Sequence, residues 1–380
     1  MNAVGLFAGI GGIEEGFHRA GHKTTLLCEI DAGAQAVLRA RFPGVSCVPD
    51  IRNLRSLPAV EILAAGFPCQ DLSQAGRTAG IDGSSSGLVG EVFRLWRTAP
   101  KKPRWLVLEN VPFMLRLDRG KAMHFLVQNL EELRLRWAYR VVDTRSFGLP
   151  QRRLRVILVA SNNEDPRDVL FADEAAETLP TERSGHACGF YWTEGTRGLG
   201  WAIDAIPTLK GGSTIGIASP PAIWTQDDDI VTPDIADAER IQGFDAGWTE
   251  PALGRRARLG TRWKLVGNAV SVPVARWVGS RLGSPGIHDW SRETVLEASA
   301  PWPNAASGDR GKVRKVEISG WPVSETYHHL AGFLEYPTVA LSRRASEGFY
   351  GRATRSSLRF PKGLLEAVAE HIQRLAKAAA

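Results

Sequence analysis

Over the first 160 residues, short apolar runs alternate with stretches of helical period. That alternation predicts an α/β domain on a mostly parallel sheet. Residues 3–7 form an apolar run ending in a glycine cluster, and a helical pattern follows over residues 13–20. Residues 24–29 and 61–65 predict further strands, the second closing on Gly66-Phe67-Pro68. Residues 105–108 read as a buried strand leading to Glu109-Asn110. Helical periodicity covers 122–137, and strands return at 139–144 and 154–160.

After Ser161 the texture changes. Residues 162–235 are rich in Gly, Pro, Thr and Asp and carry Phe190, Tyr191, Trp192, Trp201 and Trp224, which predicts a small, loop-dominated module. Helical patterning resumes at 235–241 and 270–282. Residues 284–311 are a linker-like mixture, and the basic tail from Lys312 ends in an amphipathic helix near 364–375. The expected divisions are therefore 1–161, 162–235, 236–284 and 285–380.

Composition narrows the class. The 380 residues are 43% hydrophobic and 23% charged, as in a globular protein rather than a disordered one. No apolar run approaches the roughly 18–20 residues that span a bilayer, so no membrane partner is expected. The first residues lack a basic leader and turn acidic at Glu14 and Glu15, unlike a secretory signal. Cys28, Cys47, Cys69 and Cys188 form no CxxC pair, which argues for a reducing compartment and against a disulfide framework or a zinc ribbon. A net charge of +6 permits nucleic-acid binding without establishing it.

The candidate chemistry lies at predicted strand ends. The turn Phe7-Ala8-Gly9-Ile10-Gly11-Gly12 joins a strand to a helix, where glycine lets backbone approach a ligand at the positive end of the helix. Glu29 and Asp50 follow the next two candidate strands, placed to meet a ribose and an adenine. Cys69 in Gly66-Phe67-Pro68-Cys69-Gln70 follows another strand, and Glu109-Asn110-Val111 ends its neighbour. A thiolate beside a carboxyl acid suits covalent catalysis on an electron-poor ring. In Gln151-Arg152-Arg153-Leu154-Arg155, a strand's period of two would point Arg153 and Arg155 the same way. For each motif a purely structural reading competes: a strand–helix turn, a buried thiol, a capping carboxylate, a solvated basic edge.

Taken together and in this order, the segments resemble the DNA (cytosine-5)-methyltransferases of prokaryotes and phages. The resemblance rests on Phe7–Gly12, Glu29 to Asp31, Asp50, Gly66 to Ser73, Glu109 to Val111, Gln151 to Arg155, Arg240-Ile241-Gln242-Gly243-Phe244 and Gly267-Asn268-Ala269-Val270, and it stops near residue 285. It implies a Rossmann-like S-adenosylmethionine-dependent methyltransferase fold, with residues 162–235 as a small target recognition domain and an extra C-terminal region. Cytosine in double-stranded DNA would be the substrate and S-adenosylmethionine the cofactor. Cys69, Glu109, Arg153 and Arg155 would be catalytic, with no metal. Phe7, Ala8, Gly9, Ile10, Gly11, Gly12, Glu29, Ile30, Asp50, Ile51, Pro68, Leu88, Asn268 and Val270 would bind the cofactor. The helix over 270–282 would then have to pack back beside the first strand.

The resemblance further implies a cytoplasmic, nucleoid-associated monomer, with a cognate restriction or phage-defence system as partner. Two alternatives are an RNA cytosine-5 methyltransferase and a non-catalytic DNA-binding relative. The first would replace the segment around Gln242; the second would lose Cys69 or Glu109. One departure is Gly5, where many relatives carry Asp or Ser. In the tail, Arg343, Arg344, Arg352, Arg355, Arg359 and Lys362 interleave with Phe349, Tyr350 and Phe360, either as a DNA contact or as a basic surface over a small core.

Overall fold

A computed structural model describes residues 1–67, 87–211, 218–253 and 259–378. They form two compact units, the first of Met1–Ser146, Leu154–Glu177 and Val270–Ser324, the second of Phe147–Arg153, Thr178–Ala269 and Glu325–Ala380. No described helix is long and apolar enough to cross a membrane.

Along the chain the strands are β1 (Asn2–Leu6), β2 (Lys23–Cys28), β3 (Ser46–Val48), β4 (Ile62–Gly66), β5 (Trp105–Asn110) and β6 (Arg136–Asp143). Next come β7 (Gln151–Arg152), β8 (Leu154–Ser161), β9 (Cys188–Phe190), β10 (Trp201–Ile203), β11 (Ile206–Pro207), β12 (Ala222–Trp224) and β13 (Ile230–Thr232). The last four are β14 (Glu293–Val295), β15 (Ala305–Asp309), β16 (Lys312–Val316) and β17 (Val339–Ala340). Helices are α1 (Gly12–Arg19), α2 (Ala32–Arg41), α3 (Leu88–Thr98), α4 (Lys121–Glu132), α5 (Arg167–Leu170) and α6 (Ile235–Ile241). They continue as α7 (Leu259–Asn268), α8 (Val272–Gly283), α9 (Leu330–Phe333), α10 (Arg343–Ala353) and α11 (Leu364–Ala378).

The first unit is an α/β fold on one sheet, ordered β14-β16-β15-β6-β8-β5-β4-β1-β2-β3. Strands β3, β2, β1, β4 and β5 are parallel, as the alternating pattern predicts; β8 then pairs antiparallel with both β5 and β6. Parallel strands covered on both faces read as continuous apolar runs, and β5 is buried along its whole length.

Two expectations need correction here. The helix predicted to 137 stops at Glu132, because Arg134 takes a left-handed turn (φ 55°) and Leu135 N–H closes back on Leu130 O. The linker expected at 284–311 instead contains β14 and β15. Its composition hides the strand: Ala305, Ala306 and Ser307 are buried, and a Cβ at Gly308 would collide with the Trp137 ring, so only small residues fit. Trp302 packs on Trp137 and Tyr139, and the Tyr139 hydroxyl donates to Pro303 O at 2.8 Å.

The second unit holds a sheet ordered β10-β9-β12-β13-β17 and a β11-β7 pair. Its strands are two or three residues long, too short to show a period. The expected divisions shift accordingly: residues 236–269 fall in the second unit, and residues 285–380 are shared, the stretch to Ser324 belonging to the first unit and the rest to the second. Phe349 is fully buried with Phe190, Trp224, Leu364 and Val368, and Phe360 packs against the same cluster. The tail's aromatics thus build a core and do not alternate with its arginines along a surface.

In the first unit α8 lies against α1, the helix that leaves β1. Contact is close because α1 carries glycine at the seam. A Cβ at Gly16 would come 2.6 Å from Arg276 N and 2.7 Å from Val272 O, and one at Gly12 would collide with Val270 O. Gly5 on β1 makes room for the Glu14 carboxyl in the same way. Glu14 Oε2 is buried without a hydrogen-bond partner among the described residues. Burial first, and the negative Glu29 in addition, push its pKa up to about 8 against a lowering backbone hydrogen bond.

Gly16→Ala is therefore expected to destabilise the first unit by about 1–3 kcal/mol, the usual cost of overpacking, read as a lower denaturation midpoint. Glu14 should also leave a pH signature. Between its ordinary value of 4.5 and about 8, the folded chain holds a proton that the unfolded chain has released, so stability falls as pH rises through that window. The melting-temperature difference between Glu14→Gln and the unsubstituted protein should accordingly increase from pH 5 to pH 9. A constant difference would mean that Glu14 ionises normally.

Candidate active site

Strand order reverses beside β1: β2 and β3 lie on one side, β4 and β5 on the other. Loops leaving the carboxyl ends of β1 and β4 therefore diverge, and a crevice opens at that edge of the sheet. Phe7 to Gly11 follow β1, Glu29 follows β2, Asp50 lies just beyond β3, Phe67 follows β4, and Glu109-Asn110 end β5.

On the β1–β2 side the backbone is shaped for a ligand. Phe7 (φ 54°), Gly9 (φ 56°) and Gly11 (φ 87°) are left-handed, an unusual conformation for phenylalanine and a mark of functional turns. Gly9 N–H donates to Glu29 Oε2 at 2.8 Å, and Asp31 N–H donates to Oε1 at 2.7 Å. Glu29 thus faces the turn with a fixed carboxylate. Among the described residues nothing lies within 4 Å of a Cβ placed on Gly9, and Ile30 is 70% exposed beside Glu29. An open glycine turn, an oriented carboxylate and an exposed apolar side chain together fit an adenosine-containing cofactor.

The remaining cofactor residues differ in what they offer. Ile10 and Ile51 are buried, so their side chains serve the interior. Leu88, at the start of α3, packs partly buried against the same core as Ile51. The Asp50 carboxylate accepts from the Arg52 amide and guanidinium, the latter at 2.6 Å, and this pairing lowers its pKa. Val270 lies against Gly12 and within 3.7 Å of a Cβ on Gly66. Asn268 belongs to the second unit, where its side chain abuts Gly211. Pro68 lies outside the described residues.

Cys69 also lies outside the described residues. Gly66, three residues earlier, sits in register with Glu109 across the β4–β5 pair. Glu109 Oε1 pairs with Arg155 Nε at 2.9 Å, and Oε2 is 3.5 Å from a Cβ built on Gly66. Arg155 reaches Glu109 because β8 runs antiparallel to β5, which brings the start of β8 to the carboxyl end of β5. Asn110 adds a tie that the sequence reading did not assign: its Nδ2 donates to Phe67 O at 3.0 Å, joining the two strand ends.

At Arg153 the expected period of two fails. Strand pairing is interrupted at this residue, so the period of two does not carry from Arg153 to Arg155. Its buried guanidinium donates instead to Leu209 O, Gly267 O and Ala269 O at 3.1, 3.2 and 2.6 Å, all within the second unit. This is the geometry of a positioning residue. Gln151 and Gln242 were likewise unassigned. Gln151 Nε2 donates to Gln242 Oε1 at 3.2 Å, its Oε1 accepts from Leu209 N–H, and Gln242 Nε2 donates to Val266 O. Both are fully buried, and a buried glutamine within a motif is the signal that marks such a network.

The other cysteines are poor nucleophiles. Burial pushes the Cys28 thiol up to about 12, helped by Glu29, and the Cys188 thiol up to about 11; Cys47 is raised for the same reason.

Comparison with known proteins places the chain in a family. The family pattern described as C-5 cytosine-specific DNA methylase matches residues 1–193. The type II methyltransferase M2.BsuMI of Bacillus subtilis (strain 168) is 51% identical over 367 residues, covering 93% of this chain and 94% of its own. M.MspI of a Moraxella species is 33% identical over 192 residues, 48% of this chain and 45% of its own. Among solved structures, the S. pombe Dnmt2 methyltransferase superposes with a TM-score of 0.53 at 15% identity, over 74% of this chain and 98% of its own, a likeness of fold. The glycine turn, the strand-end carboxylates and the matched length agree: the chain belongs to the C-5 cytosine-specific DNA methylases and is an enzyme, a DNA cytosine-5 methyltransferase.

Proposed function

We propose that this enzyme methylates carbon 5 of a cytosine flipped out of double-stranded DNA, through a covalent adduct on Cys69. The observation that carries the reading is the Glu109–Arg155 pair at the end of β5, in register with Gly66 three residues before Cys69. Carbon 5 of cytosine is too weak a nucleophile unaided. The Cys69 thiolate adds to carbon 6, and the Glu109 carboxyl, acting through Oε2, hydrogen-bonds or protonates ring nitrogen 3. The electron pair of the former 5,6 double bond moves to carbon 5. Arg155 orients Glu109 and holds the carbonyl oxygen of the base. After transfer, a base removes the carbon 5 proton, and elimination of the thiolate restores the ring double bond and frees Cys69. The attack on carbon 6 cannot occur in the stacked duplex, so the base must leave it.

S-adenosylmethionine, when bound, supplies the electrophilic methyl. Glu29 would hold its ribose hydroxyls, the Gly9–Gly12 turn its methionine end, and Phe7 with Ile30 its adenine, while Asp50 takes the adenine amino group. Ala8, Ile10 and Ile51 would contribute main chain. Pro68, Leu88, Val270 and Asn268 would close the site. Recognition of a short DNA sequence falls to the second unit, and the relatives named type II methyltransferases support a place in a restriction–modification pair. The enzyme would then act as a cytoplasmic monomer on nucleoid DNA.

Bisulfite sequencing of plasmid DNA from expressing cells tests the reading. Methylated cytosines in one short context are expected, none with Cys69→Ala, and roughly 100- to 10,000-fold slower methylation by purified Glu109→Gln, the range for a lost general acid. Methylation surviving in Cys69→Ala would break the mechanism. The cofactor assignment is separable. Glu29→Ala should weaken S-adenosylmethionine binding in calorimetry by roughly 10- to 100-fold, the loss of hydrogen bonds to a charged group. Unchanged affinity would remove Glu29 from the site.

A further inference from the structure

Outside the catalytic edge, three side chains in the second unit converge on one point. Asp204, in the turn after β10, is buried with its backbone left-handed (φ 50°). His186, just before β9, and His329, just before α9, both aim Nδ1 at Asp204 Oδ2, at 3.6 and 2.5 Å. The two imidazoles stack, with centroids 5.6 Å apart and planes inclined by 23°. All three ligand atoms lie within 4.8 Å of one another. We propose that His186, Asp204 and His329 form a binding site for a divalent transition metal, zinc above all, that clasps the C-terminal extension to the recognition sheet.

Donor chemistry selects the ion. Two imidazoles and one carboxylate suit Zn(II), Ni(II) or Co(II), and are a poor match for Mg(II) or Ca(II), which prefer oxygen. Zinc with three protein ligands keeps its fourth position for water, and His329, two-thirds exposed, leaves that side open. Nitrogen and oxygen ligands about 2.1 Å from a tetrahedral zinc stand roughly 3.4 Å apart. The His186–Asp204 separation already fits. His329 needs only to swing outward by about 1 Å to match that spacing, which its exposure allows.

The surroundings are those of a metal ligand as well. Asp204 Oδ1 accepts from Leu330 N–H at 3.0 Å, and Asp204 O accepts from the Tyr327 hydroxyl at 2.5 Å. The first bond fixes the carboxylate and leaves Oδ2 to the imidazoles, and the second holds the Asp204 main chain, the outer support that keeps metal ligands in place. A single cation satisfies all three groups.

The consequence is mechanical. His186 and Asp204 flank β9 and β10, whereas His329 opens the segment that supplies β17 to the sheet edge and then α10 and α11 to its core. Metal at this point would couple the extension's attachment to zinc supply, independently of the methyl-transfer site.

The test uses the tag-free, full-length protein after chelator treatment. Titration with zinc chloride in a calorimeter should show one high-affinity equivalent, and cobalt chloride should give the visible absorption of a tetrahedral nitrogen–oxygen site. Loss of an outer-sphere partner alone weakens metal binding about 10- to 100-fold, so His329→Ala and His186→Ala should each cost at least about 100-fold. Zinc should raise the unfolding temperature of the unsubstituted protein and leave that of His329→Ala unchanged. His329 is exposed, so its variant should stay folded where Asp204→Asn would be at risk. No zinc equivalent, or one of equal affinity in both histidine variants, overturns the proposal.

Discussion

Parallel β-strands deliver their outgoing loops to a single edge, and the chain's chemistry follows from that constraint. Because strand order reverses beside β1, the loops after β1 and β4 diverge, while β2, β3 and β5 bring Glu29, Asp50 and Glu109 to the same edge. The antiparallel β8 extends the logic. Running the other way, it presents its first residues at that edge, and Arg155 meets Glu109 there. Six separate stretches of sequence are thereby brought to one edge of the sheet.

The edge needs a firm base, and the α1–α8 seam supplies it. Helix α1 begins in the ligand-facing turn, so any movement of α1 would carry Gly9 and Gly11 with it. Gly12 and Gly16 bring its backbone against Val270 and α8. A residue group remote in sequence thereby fixes the turn after the first strand. Gly5 belongs to the same economy of volume: by carrying no side chain it admits Glu14, whose neutral carboxyl fills the space between β1 and α1.

How much of this was legible depends on length and period. The parallel strands β1, β2, β4 and β5 have five or six residues each, long enough for an apolar run to be distinct, and the motifs that flank them stand at the carboxyl ends of those strands. The placements of Glu29 and Glu109 follow from those strands. Strand β15 escaped notice because Ala, Ser and Gly were needed under Trp137, so its composition imitated a linker. Strands β9 to β13 escaped because two or three residues cannot display alternation. The His186–Asp204–His329 cluster was invisible for a third reason: its outer members are 143 residues apart and have no spacing to read.

Arg153 shows how one short motif can divide its labour. The segment from Gln151 to Arg155 crosses from the second unit to the first at Leu154, and the segment from Gly267 to Val270 crosses at Val270. Arg153 donates to the carbonyls of Gly267 and Ala269, so its guanidinium binds together, within the second unit, the ends of two of its segments. Gln151 and Gln242 reinforce the junction with bonds to Leu209, Ile241 and Val266. A unit inserted into another fold must bring its ends close together, and buried hydrogen bonds to main-chain carbonyls do this whatever the side chains in between. The arginine two positions later meets a different demand, a carboxylate at the end of β5. Arg153 and Arg155 therefore answer to different physics: one ties segments of the second unit together through main-chain carbonyls, the other pairs with a carboxylate at the end of β5.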